Sequence, residues 1–140
     1  MAKARNSNGN TGAQPAPPTE EPPSDAAKNY PSAPRSLSKN ARNEWRKLAP
    51  LAHANGRLTM NDARSFAQLC EYLAIATEAR EAVERHGLTL ETDSGGEKGN
   101  PAVQVCLQAN IAAERLMRLF ALDPAGRAEV ERERAITQFL

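Results

Sequence analysis

Apolar residues recur at helical spacing along most of the chain, and the longest uninterrupted stretch is TMNDARSFAQLCEYLAIATEAREAVERHG, residues 59–87. It holds no proline, and its one glycine comes last, so the pattern predicts a single helix over residues 60–86. Thr59 is a good N-cap, Asp62 three residues on completes a capping-box variant, and Gly87 stands where a left-handed C-terminal cap is wanted. In the first half, Met60, Ala63, Phe66, Leu69, Cys70, Tyr72, Leu73 and Ala76 cover more than one stripe of the circumference. A surface helix needs one stripe, so this half should pack against more than one neighbour. Arg64, Glu71, Glu78 and Arg85, seven residues apart, mark a narrow strip expected to face solvent, and beyond Glu78 the helix turns polar.

The flanking patterns supply shorter elements. Ser38 caps a predicted helix over residues 39–54, in which Ala41, Trp45, Leu48 and Ala52 share one face; Pro50 should kink or break it, and Gly56 ends it. Residues 88–99 alternate and then turn at Ser94-Gly95-Gly96, which predicts a short hairpin or extended flap. Asn100-Pro101 opens a second long helix, 101–121, whose face of Ala102, Cys106, Ala109, Ala113, Leu116, Met117 and Phe120 should lie antiparallel on the first. Asp123-Pro124 repeats the device and starts a last helix, 124–137, of alternating Glu and Arg that ends on Ile136, Phe139 and Leu140. The expected fold is all-α, residues 36–140: a long antiparallel helical hairpin with a basic helix before it and a small β-like flap between its arms. Residues 1–35 hold seven of the ten prolines and bury little, so they should form a disordered tail.

Composition adds limits. The net charge is +1, so an anionic partner must be met by a local patch. Cys70 and Cys106 form no CxxC pair and are expected to face each other across a helix pair as small apolar residues. No apolar run approaches the ~18 residues of a membrane span. His53 and His86 stand alone, no serine lies in a nucleophile elbow, and Gly95-Gly96-Glu97-Lys98-Gly99 lacks the spacing of a phosphate loop. No enzyme activity, cofactor or metal is therefore expected.

What charge pattern there is gathers on the first helix. Residues 36–57 carry Lys39, Arg42, Arg46, Lys47 and Arg57 against Glu44 alone, a local +4. Such a stripe suits DNA phosphates, contacted without reading sequence. Residues 39–75 also have the order of a helix-turn-helix, although the second helix is twice the usual recognition length and begins apolar. On the second long helix Leu107 and Ile111 interrupt the polar face one turn apart, which suits a contact between subunits. Together with the surplus apolar surface of Phe66, Leu69 and Leu73, they are the candidate interface for self-association.

The ordered set Leu37-Ser38-x-x-Ala41-x-x-x-Trp45-x-x-Leu48, Gly56-x-Leu58-Thr59-x-x-Asp62, Asn100-Pro101 and Phe120-x-Leu122-x-Pro124-x-x-Arg127 resembles the small terminase subunits of tailed bacteriophages and prophages. The likeness runs over roughly residues 34 to 129. Ala121 stands where that family often has glycine, and Asp123 where it often has threonine. The resemblance implies a protein of the bacterial host's cytoplasm that binds double-stranded phage DNA when packaging begins. It also implies assembly into a ring homo-oligomer that presents the DNA to a large subunit carrying ATPase and nuclease. The family has no fixed DNA-contacting motif to transfer, so the five basic candidates rest on charge. Two other readings stay open: a phage or prophage helix-turn-helix regulator, and a helical adaptor that touches no DNA.

Overall fold

The computed structural model describes residues 29–140, together with the isolated Gly12. Most of the expected tail, residues 1–28, therefore lies outside the described residues. Its last part is ordered: Pro31 is buried, and the Tyr30 ring tilts against His53 at 5.2 Å between centroids. Residues 29–37 thus form an arm laid along the first helix, and order starts earlier than composition indicates.

Four helices and one hairpin follow: α1 (Lys39–Ala54), α2 (Ala63–His86), β1 (Thr89–Glu91), β2 (Glu97–Gly99), α3 (Pro101–Leu119) and α4 (Pro124–Gln138). The expected all-α fold is what is observed, with α2 and α3 as the two arms of the hairpin. Thr59 and Asp62 do form the capping box, the Thr59 amide donating to Asp62 Oδ2 at 2.8 Å, but around one 3₁₀ turn, Met60–Asp62, from which α2 proper begins. Gly87 caps α2 at φ 85°. Asn100 then caps α3, its side-chain oxygen accepting from the Ala102 amide at 3.0 Å while its amide group donates to Gly87 O at 2.8 Å. That pair closes the base of the flap, in which β1 and β2 run antiparallel with Leu90 opposite Lys98.

Pro50 neither breaks nor ends α1, which continues to Ala54. Pro50 is exposed, and on that side the carbonyl deprived of its amide partner can be hydrated. At the far end of α3, Ala121 adopts φ 55° and stops the helix at Leu119, two residues short of the expected limit. Leu122 N donates to Met117 O at 2.9 Å and Ala121 N to Arg118 O at 3.1 Å, the two bonds of a Schellman cap. An alanine therefore fills a left-handed position that glycine adopts without cost, which accounts physically for the glycine expected there.

Three rings join α1, α2 and the end of α3. Trp45 meets Phe66 edge-on at 4.8 Å, and Phe66 meets Phe120 edge-on at 5.0 Å. Around them Leu37, Ala41, Ala49, Ala52, Leu58, Leu69, Cys70, Ala74, Ala113 and Leu122 complete the core. Small residues on facing surfaces let the three helices approach closely, which is how an alanine-rich chain with few aromatics builds a core. Met60, 68% exposed on the 3₁₀ turn, and Ile75, 39% exposed on α2, are left at the surface in this stretch. The two cysteines do not face each other. Cys70 is in the core, whereas Cys106 Sγ lies 3.6 Å from the Ala76 carbonyl, about 9 Å further along α2.

Candidate nucleic-acid interface

The first helix is held as a rigid platform. Its inward face, Ala41, Trp45, Ala49 and Ala52, is buried, which turns Lys39, Arg46 and Lys47 to solvent. Ser38 Oγ accepts from the Ala41 amide at 3.2 Å and so caps the helix. Glu71 of α2 then grips the cap from outside: Ser38 N donates to Oε1 at 2.9 Å and Ser38 Oγ to Oε2 at 3.2 Å. Two residues further on, Asn40 donates to Glu78 Oε1, two turns along α2 from Glu71, at 3.0 Å. Two of the four charged residues expected to form a solvated strip on α2 thus have a structural task. Their carboxylates meet the positive end of the α1 dipole, where anions are favoured. The heptad spacing was the visible signal, since residues seven apart share a face and can address one partner helix.

Glu71 and Glu44 also lie near the interior. Burial first, and then the Glu44 and Glu71 charges, push the Cys70 thiol up to about 12. Cys70 therefore stays protonated and inert as a core residue.

The five basic candidates are not equivalent. Lys39 and Arg46 are exposed, and no carboxylate among the described residues pairs with either. Lys47 Nζ lies 3.7 Å from Glu44 Oε1 across one turn, a loose surface pair that a phosphate can replace. Arg42 is half-buried and turned back toward the arm, donating to the Arg35 carbonyl at 3.2 Å and the Leu37 carbonyl at 3.5 Å. It keeps its charge at the edge of the platform. Arg57, in the loop after α1, is held by Glu133 of α4 through both carboxylate oxygens, at 2.8 and 2.9 Å. The structure thus brings Lys39, Arg46 and Lys47 together on the outer side of one helix, with Arg42 and Arg57 committed to other contacts at its margins.

A helix-turn-helix reading would place the start of α2 in the major groove, with base-reading side chains in its first turns. There Phe66, Leu69 and Cys70 are fully buried, and Arg64, Ser65 and Gln68 are the exposed side chains of those turns. Burial also divides the candidate subunit interface. Phe66 and Leu69 are closed inside the chain by α1 and by Phe120, and Leu73 is half-buried against the same core. Phe66 and Leu69 are therefore covered by their own chain, and Leu73 in part. Leu107 and Ile111 remain on the surface, 54% and 53% exposed.

The junction of α3 and α4 fixes the last element. Asp123 caps α4, its Oδ1 accepting from the Gly126 amide at 2.7 Å, and Arg118 Nε donates to Oδ2 at 3.3 Å. The Gly126 hydrogen bond and the adjacent Arg118 hold the Asp123 carboxyl below its usual range. Asn55 at the end of α1 donates to the Ala121 carbonyl at 2.9 Å, tying the turn to the platform. Among the described residues no group of three or more His, Cys, Asp or Glu side chains is gathered to hold a metal ion, and no helix is long and apolar enough to cross a membrane.

The described residues thus form an all-helical hairpin with a basic first helix buttressed by Glu71 and Glu78. Over residues 41–135 the chain matches the family described as phage terminase, small subunit, and it belongs to that family. The matched region runs from the buried face of α1 into the last turns of α4. Comparison with curated proteins and with solved structures returned no significant match.

Proposed function

We propose that this terminase small subunit binds double-stranded viral DNA at the start of packaging and, as a ring homo-oligomer, presents it to the large subunit. The ATPase and nuclease steps belong to that partner, and this chain performs no catalysis and needs no cofactor. Its place of action is the cytoplasm of the bacterial host. The observation that carries the reading is the outer side of α1, where Lys39, Arg46 and Lys47 project from a helix fixed by a buried face and by Glu71 and Glu78. Arg42 adds to the positive field near its first turn, and Arg57 stands at the other end paired with Glu133. Contacts of this kind go to phosphates and give affinity with little dependence on sequence.

Fluorescence anisotropy with a labelled duplex tests the reading. Lys39→Glu with Arg46→Glu alters two exposed side chains and should lower affinity at least tenfold at low salt, about two phosphate contacts being removed and repulsion added. A helical adaptor without DNA contact would show no wild-type affinity to lose. Self-association is assigned to Leu107 and Ile111, since they are the members of the candidate patch left exposed on the outer face of α3. Leu107→Glu, Ile111→Glu should reduce the native mass to that of the single chain in mass spectrometry. An unchanged assembly would exclude this patch as the contact.

A further inference from the structure

We infer that α4 is a releasable strap whose Glu133 competes with DNA phosphate for Arg57, so that DNA binding and α4 release are coupled. The inference rests on the DNA-binding reading above and adds a regulatory contact to it. The attachment of α4 is uneven. Gly126 and Val130 are its buried residues, both in its first two turns, and every residue from 131 to 140 is exposed. The second half of the helix is held instead by polar contacts to the loop that ends α1. Glu133 receives the two Arg57 bonds, and Arg134 donates to the Ala54 carbonyl at 2.7 Å.

Arg57 sits in that loop because Gly56, at φ 69°, reverses the chain there, with Gly56 N bonded to His53 O and Arg57 N to Ala52 O. Its guanidinium is thereby fixed at the end of the basic platform. A carboxylate and a phosphodiester present the same feature to it, two oxygens that a guanidinium fork can grip. The Arg57 and Glu133 side chains are 31% and 52% exposed, so an arriving phosphate reaches the pair without unfolding anything. An exposed pair of this kind is weak enough to exchange partners. Once Glu133 is displaced, the Arg134 bond and the exposed turns 131–138 have no buried contact to keep them in place. DNA bound along α1 therefore gains Arg57, and the distal half of α4 comes free.

Duplex affinity is measured by anisotropy across a salt series for the full chain, Glu133→Gln, Arg57→Ala and the double variant. Glu133→Gln should tighten binding roughly threefold and steepen the salt dependence by about one, as for one added phosphate contact. In the Arg57→Ala background the same change should have no effect. A gain that persists without Arg57 would reduce the result to general charge, and no gain in either background would overturn the strap. Hydrogen exchange supplies a second readout: duplex should speed exchange of the 131–138 amides in the wild-type chain, and unchanged or slowed exchange there would also overturn it. Wild-type chain that fails to bind duplex at all would instead remove the DNA-binding reading on which the strap depends.

Discussion

Phe66→Ala should unfold the domain or come close to it, at a cost of about 3–5 kcal/mol. Phe66 is fully buried and touches a ring on each side, Trp45 from α1 and Phe120 from the end of α3. Truncation removes one large apolar side chain and both edge-to-face contacts at once. The cavity would lie where three elements meet, and none of them can close it without parting from another. Thermal unfolding followed by circular dichroism should show the midpoint falling by roughly 15 °C or more. A loss below about 1 kcal/mol would mean that the rings do not form the joint described.

Gly126→Ala should also destabilise, by about 2 kcal/mol. The sign is the informative part, because alanine is ordinarily worth about 1 kcal/mol more than glycine inside a helix. A methyl group at this position would stand 2.6 Å from Asp123 Oδ1, 2.7 Å from the Ala121 Cα and 3.2 Å from the Arg118 carbonyl. Two of those atoms are backbone, and the third is the cap of α4 itself. The first turn of α4 would have to lift from the Schellman turn, straining the Asp123–Gly126 bond and moving the turn that Asn55 holds. Denaturant unfolding checks the prediction, and a stabilising Gly126→Ala would contradict the close approach.

Which features the sequence disclosed follows from how local they are. The capping box of Thr59 and Asp62, the Gly87 cap, Asn100-Pro101 and Asp123-Pro124 each act within about one turn, and all stand where residue order places them. The flap and the antiparallel hairpin followed from alternation and from apolar spacing. The site was legible in part. Charge spacing on α1 showed which residues share a side, but not that Arg42 turns back to the arm or that Arg57 is held by Glu133, 76 residues on. Glu71 and Glu78 read as solvated residues in the sequence because the partner that uses them, the N-terminus of α1, is brought there only by tertiary packing. The same limit applies to Phe66 and Leu69. A count of apolar faces reports that a helix needs two neighbours; it cannot say whether both come from the same chain. Here α1 and α3 supply them, so the proposed self-association rests on Leu107 and Ile111 instead.

Ala121 shows the converse case. The resemblance to small terminase subunits marked the position for glycine, and the φ of 55° gives the reason. The Schellman bonds and the Asn55 contact hold the alanine in that region despite its Cβ.

The central claim, that the outer side of α1 is the DNA interface, is tested most directly by the salt dependence of duplex affinity. The comparison is between the wild-type chain and a variant carrying Lys39→Ala, Arg46→Ala and Lys47→Ala. The variant should bind every duplex tested more weakly, regardless of sequence, and its plot of log affinity against log salt should be shallower by about three, one unit for each lost phosphate contact. A variant with the wild-type slope and the wild-type affinity would contradict the claim.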